Sequence, residues 1–169
     1  MISLPVYIPI ETKNREYDGK LLLASCLMNV GFKEIFIGSR SGIKRESLNN
    51  SAGIVFFKSL SETQEEYYKQ LRARGCYLVL LHAEGGIHYK EMKDIMQSIY
   101  PPRLLPYMDV CFVFGEQIKR DILFYYNPEP DQKFIVSGEP RFELLKARYH
   151  PFFEQQISNL QDKYGKFIL

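Results

Sequence analysis

The sequence predicts a doubly wound α/β domain, a parallel sheet of about six strands in a three-layer sandwich, and three observations carry that prediction. Short runs rich in Val, Ile, Leu and Phe alternate with longer helical segments along the whole chain. Several of these runs are apolar at consecutive positions, the pattern of strands covered on both faces. Gly, Pro, Ser or Asn punctuates most of the junctions, and there is no fixed-period repeat, low-complexity stretch or charge block.

Residues 6–10 (VYIPI) read as the first strand, and a helix over about 16–30 follows, which Gly31 can end. Residues 34–37 form a second strand, 39–48 a weaker helical connection and 53–57 a third strand. Ser61 reads as an N-cap, with Gln64 three residues on as in a capping box, for a helix that reaches Arg74 before Gly75. Residues 77–81 make a central strand. The helix after it, over about 90–99, stops at Pro101 and Pro102. Then come a strand over 110–114, a helix over 116–126, a strand over 134–136 and a short helix near Phe142 with Pro140 in its first turn.

A last helix is expected over 151–164, and residues 166–169 open a new apolar run. The expected organisation is a Rossmann-like domain over 1–150, with 151–169 a linker helix and the start of a second domain that a truncated chain lacks. The alternative packs residues 167–169 back onto the first domain.

At 169 residues the chain is long enough to bury a core of its own. Its 22 basic and 20 acidic residues leave a net charge of +2 without a basic stripe, so nucleic acid is not implied. Cys26, Cys76 and Cys111 are odd in number and far apart, which predicts three buried, reduced thiols and a cytoplasmic setting. No basic region precedes an apolar one at the N-terminus, and the longest apolar stretch, 21–30, falls well short of the roughly 20 residues that cross a bilayer. Any membrane association is expected to be peripheral.

In a parallel sheet the carboxyl ends of the strands share one edge, and ligands bind in the crevice beyond it. Four turns at that edge are polar or glycine-rich, IPIETKNRE, LHAEGG, VFGEQ and VSGEPRFELL, and they bring Glu11, Glu84, Glu116 and Glu139 toward a common rim. The first lacks GxGxxG, with Glu11, Lys13, Arg15 and Glu16 where a dinucleotide fold has glycines, so no nicotinamide or flavin cofactor is expected. No P-loop, HExxH, His/Cys cluster or GxSxG elbow is present, which argues against a nucleoside triphosphatase, a zinc site and a serine nucleophile.

Carboxylates accept hydrogen bonds from sugar hydroxyls, while Lys13, Arg15 and Arg141 offer charge-assisted bonds to an anion, a mixture that fits an acidic saccharide. The plainer reading of 11–16 is a solvated turn salt-bridged into the first helix. Glu84 is the candidate for chemistry, since it follows a buried strand, Gly85 and Gly86 let backbone approach a ligand, and His82 can titrate beside it. The plainer reading there is a tight turn with Glu84 in water; His88 reads as a surface residue. In GEPRF, Gly138 and Pro140 fit either an anion site at a helix N-terminus or an ordinary loop-to-helix junction.

YIPIETKNREYDGKLLLA, HAEGG, VFGE, KFIVSGEPRFELL and KYGKFIL together resemble the bacterial surface carbohydrate (surface polysaccharide) biosynthesis family. That family is similar to two-domain GT-B glycosyltransferases of the kind that transfer Kdo-like acidic sugars in capsule and lipopolysaccharide assembly. The resemblance implies an acceptor-side N-terminal half and a nucleotide-activated sugar as donor substrate, held by a C-terminal donor-binding domain. It also implies a saccharide or lipid-linked saccharide acceptor, with no cofactor in this chain. By position it covers Glu11, Lys13, Arg15, Glu16, Glu84, Gly85, Gly138, Pro140, Arg141 and Phe142; where the family pattern has Asp-Glu-Glu-Gly, HAEGG leaves Glu84 as the only carboxylate.

The expected cleft is lined by Glu11, Arg15, Glu84, Glu116 and Arg141. Two alternatives stand beside it. One is a complete, non-catalytic carbohydrate or nucleotide recognition module, and the other an assembly scaffold that uses its 12 Tyr and 12 Phe at a partner surface.

Overall fold

The computed structural model describes residues 2–82, 92–126 and 133–165. Its strands are β1 (Val6–Ile10), β2 (Ile35–Ser39), β3 (Ile54–Phe57), β4 (Tyr77–Leu81), β5 (Val110–Val113) and β6 (Phe134–Val136). They form one all-parallel sheet in the order β2-β1-β3-β4-β5-β6. Successive side chains of each strand point to opposite faces, and both faces are apolar, as a parallel sheet requires. Tyr7, Val55, Phe57, Leu78, Leu80, Cys111 and Val113 face one layer; Val6, Ile8, Phe56, Val79, Leu81 and Phe112 face the other.

The two layers are unequal. The first contains α2 (Arg40–Asn49), α3 (Glu65–Ala73), α4 (Met92–Ile99) and α5 (Glu116–Tyr126), which contribute Ile43, Tyr67, Tyr68, Leu71, Ile99 and Ile122, with Tyr100, Leu104, Leu105 and Met108 from the segment after α4. The second rests on α1 (Lys13–Asn29) through Leu23, Ala24 and Leu27, and the short α6 (Pro140–Glu143) packs beside α1. The architecture is the Rossmann-like three-layer α/β sandwich.

Several local expectations are corrected. α1 begins at Lys13, three residues early, because the Glu16 carboxylate turns back and accepts the Glu11 N–H at 3.0 Å, satisfying a donor at the helix start. Lys13, Arg15 and Glu16 therefore belong to the helix, not to an open turn. No capping box forms at Ser61: its hydroxyl bonds that of Thr63 at 2.8 Å, and a 3-10 turn over Glu62–Gln64 precedes α3. The helix expected over 151–164 is a 3-10 segment, Ala147–Phe153, followed by α7 (Glu154–Tyr164). Cys76 and Cys111 are buried free thiols, but Cys26 is exposed. Among the described residues no helix is long and apolar enough to cross a membrane.

Candidate functional site

The chain runs from β1 out to β2 and returns to β3 on the other side of β1, so the direction of winding reverses between β1 and β3. Loops leave such a switch point in opposite directions and open a crevice at the carboxyl edge. Glu11 is the first residue past β1, Arg40 the first of α2 after β2, and Lys58 the first past β3. They meet there. Arg40 Nη1 donates to Glu11 Oε1 at 2.7 Å, and the Lys58 ammonium pairs closely with Glu11 Oε2. Lys58 Nζ is also 3.4 Å from Glu16 Oε1, which takes Arg15 Nη2 at 3.1 Å.

The electrostatics follow from these contacts. The Lys58 bond, with help from Arg40, holds the Glu11 carboxyl below the usual carboxylate range. Burial pushes Glu16 up, but the Glu11 N–H, Arg15 and Lys58 outweigh it and leave that carboxyl low as well. Burial likewise pulls Lys58 down, and Glu11 and Glu16 reverse it, so the ammonium is strengthened. Both carboxylates are thus fixed as anions; neither is set up to give or take a proton near neutrality.

A cavity of about 290 Å³ opens at this point, with Glu11, Arg40, Ser41, Lys44, Lys58 and Ser59 among its lining residues. Three cations there face two carboxylates, Glu11 and Glu16. Tyr67 closes the side toward α3; its hydroxyl shares a 2.6 Å hydrogen bond with Ser47, and burial pushes its pKa up to about 12, so it stays a neutral phenol.

A second charged group continues the rim. Gly19 packs so tightly on α6 that a Cβ there would lie 3.0 Å from both N and Cβ of Arg141. The next residue, Lys20, is only 3% exposed and sits in the field of Glu16, one helical turn back, and of Glu139. Burial drives its ammonium pKa down, and the two carboxylates resist that. Glu139, also buried, accepts the Arg141 N–H at 3.0 Å and lies 3.1 Å from Arg141 Nε, an ion pair without the alignment of a hydrogen bond. A line of alternating charge therefore runs from Arg40 through Glu11, Lys58, Glu16, Lys20 and Glu139 to Arg141.

Of the residues expected from sequence, Glu11, Arg15, Glu16 and Arg141 lie along this line. Lys13 is exposed, its ammonium 5.7 Å from the Tyr17 ring centre. His82 is buried at the end of β4, its ring 5.6 Å from that of Tyr100 and 6.3 Å from that of Phe114. Glu116 is exposed at the start of α5. Gly138 takes a positive φ of 76° after β6, but its N–H donates to Val113 O, and the N-terminus of α6 is capped by the Glu139 side chain itself. As to the two readings of GEPRF, the negative charge at this helix start comes from the chain's own Glu139. Glu84, Gly85, Gly86 and His88 lie outside the described residues, as do 167–169.

Arg40, Lys58, Ser59 and Lys20 are the residues that sequence reasoning missed. Lys58 and Ser59 directly follow an apolar strand, the same signal that marked the other turns, and Gly19 inside a helix signals a close neighbour. Among the described residues no group of His, Cys, Asp and Glu is placed to hold a metal ion. No protein-family model, curated protein or solved structure matches the chain.

Proposed function

We propose that this domain is the acceptor-side half of a glycosyltransferase-like protein of bacterial surface polysaccharide assembly, and that the crevice at the β1/β3 switch binds an acidic saccharide. The observation that carries the reading is the interlocked set Arg40, Glu11, Lys58 and Glu16 lining this cavity. Arg40, Lys44 and Lys58 supply donors for a carboxylate, and Ser41, Ser59 and the spare lone pairs of Glu11 suit hydroxyls. Joined to a donor-binding domain, the reaction forms a bond from an acceptor hydroxyl oxygen to the anomeric carbon of a nucleotide-activated sugar. The nucleotide leaves with the electrons of the broken C–O bond, and the hydroxyl proton passes to Glu84. Holding the two reactants together supplies most of the rate.

Two measurements test this. Kdo or glucuronate, titrated into the domain, is expected to shift the amide resonances of residues 39–44 and 57–59, and Lys58→Met to weaken binding at least tenfold; unmoved resonances would sink the acidic-saccharide assignment. In the full-length protein, Glu84→Gln is expected to slow transfer from a cytidine or uridine sugar nucleotide at least tenfold, about 1.4 kcal/mol in the barrier.

A second reading, a recognition module without catalysis, draws on the fact that Glu11, Glu16 and Glu139 all lie against cations. It expects the same resonance shifts with no turnover of any sugar nucleotide by the full-length protein.

A further inference from the structure

Among the described residues the layer of the sheet that holds α1 has fewer helices than the other, and a second cavity, of about 350 Å³, opens there. Phe56, Leu81 and Phe112, from three neighbouring strands, line it, with Leu22 and Cys26 of α1 on one side and Tyr149 on the other. It opens to solvent as a groove, with a volume more than twice the roughly 150 Å³ that holds a benzene ring. Its wall is mostly apolar, with Leu22, Leu23, Leu27, Phe56, Leu81 and Phe112 offering no partner to an ordered water, which needs two to four.

Polar atoms gather where Ser137 and Glu139 follow β6, at the carboxyl edge of the sheet. Glu139 belongs to the line of charge described above, and Phe56 borders both this cavity and the one at the β1/β3 switch. Arg148 and Glu143, also lining it, pair with each other at 3.2 Å, so the apolar cavity selects no net charge.

We propose that this cavity takes the hydrocarbon chain of an amphipathic ligand whose polar part lies at the carboxyl edge. Of the two acceptor classes that the sequence leaves open, a free saccharide and a lipid-linked one, the cavity fits the second. That step rests on the function proposed above; the chain site itself does not.

Cys26, an exposed free thiol in the cavity wall, reports occupancy directly, while Cys76 and Cys111 are buried. The experiment measures maleimide labelling of Cys26 and binding by calorimetry, with methyl, hexyl and octyl glucuronide and with octanol, all below micelle-forming concentrations. Burial of each added methylene is expected to tighten binding about three- to fourfold, and the octyl compound and octanol to slow labelling at least fivefold. Leu22→Glu, a change on the partly exposed side of α1, is expected to abolish the chain-length dependence and leave methyl glucuronide binding unchanged. Cys26→Phe, which adds no charge, should shorten the longest chain accepted. Affinity independent of chain length, with Cys26 labelled equally fast throughout, overturns the proposal. Protection by octanol with no binding of methyl glucuronide supports the chain site and removes the saccharide assignment instead.

Discussion

Both oxygens of Glu11 and one of Glu16 are committed to the cations Lys58, Arg40 and Arg15, and Lys58 alone touches both carboxylates. Lys58→Met leaves Glu16 with Arg15, the Glu11 N–H and the nearby Lys20, so the urea midpoint at pH 7 is expected to fall, by less than the roughly 3–5 kcal/mol that an uncompensated buried charge costs. Because Glu11 and Glu16 have folded pKa values below their unfolded ones, near 4.3, the unfolded chain binds more protons in that window. Their stabilisation is therefore complete above the unfolded value and is lost as pH falls through the folded one. Urea midpoints between pH 6 and pH 3 should fall less steeply for Glu16→Gln than for the parent, and equal slopes would contradict the assigned contacts. Lys20 acts on the opposite limb: its ammonium is depressed, so the unfolded chain again holds more protons just below about 10.4, and stability gains from Lys20 as pH rises toward that value. Lys133, depressed by burial too, adds to the same rise, so the test is the difference between parent and Lys20→Met.

At the scale of elements, α1 joins the two halves of the rim, because its N-terminus carries Glu16 and its second turn carries Gly19 and Lys20. Gly19→Ala should gain up to about 1 kcal/mol of helix propensity. The new Cβ, however, meets backbone atoms of Arg141 at 3.0 and 3.1 Å, where no flexible side-chain tip can move aside. Overpacking of that kind costs about 1–3 kcal/mol, so the variant is expected to be destabilised overall and to weaken saccharide binding by shifting α6. A variant more stable than the parent would mean that α1 and α6 are not in backbone contact. Strand boundaries were legible to within two residues, since apolar runs between turn residues encode them locally. Helix starts were less so: α1 begins where a side chain five residues ahead satisfies the Glu11 N–H, and Ser61, a good cap by type, bonds Thr63 instead.

For the molecule as a whole, the all-parallel sheet and its polar edge followed from the alternation of apolar runs and helices. The partners along that edge did not, because Arg40 and Glu11 stand 29 residues apart and Lys58 and Glu16 stand 42 apart, separations fixed by strand order alone. Strand order also leaves the end of the described chain outside both layers. α7 has no buried residue and packs chiefly on the 3-10 segment just before it, with Ile157, Leu160 and Tyr164 exposed. An 11-residue helix with little tertiary support is marginal in water, just short of the roughly 12–15 residues that even favourable sequences need. Hydrogen exchange should therefore separate two populations. Amides of residues 158–164 are expected to exchange at least 100-fold faster than those of Leu78 to Leu80, which open only with the global unfolding of the core. A variant ending at residue 153 should keep the parent's urea midpoint, marking the edge of the cooperative unit near residue 150; protection in α7 equal to that of β4, or a lower midpoint on shortening, would place α7 inside that unit.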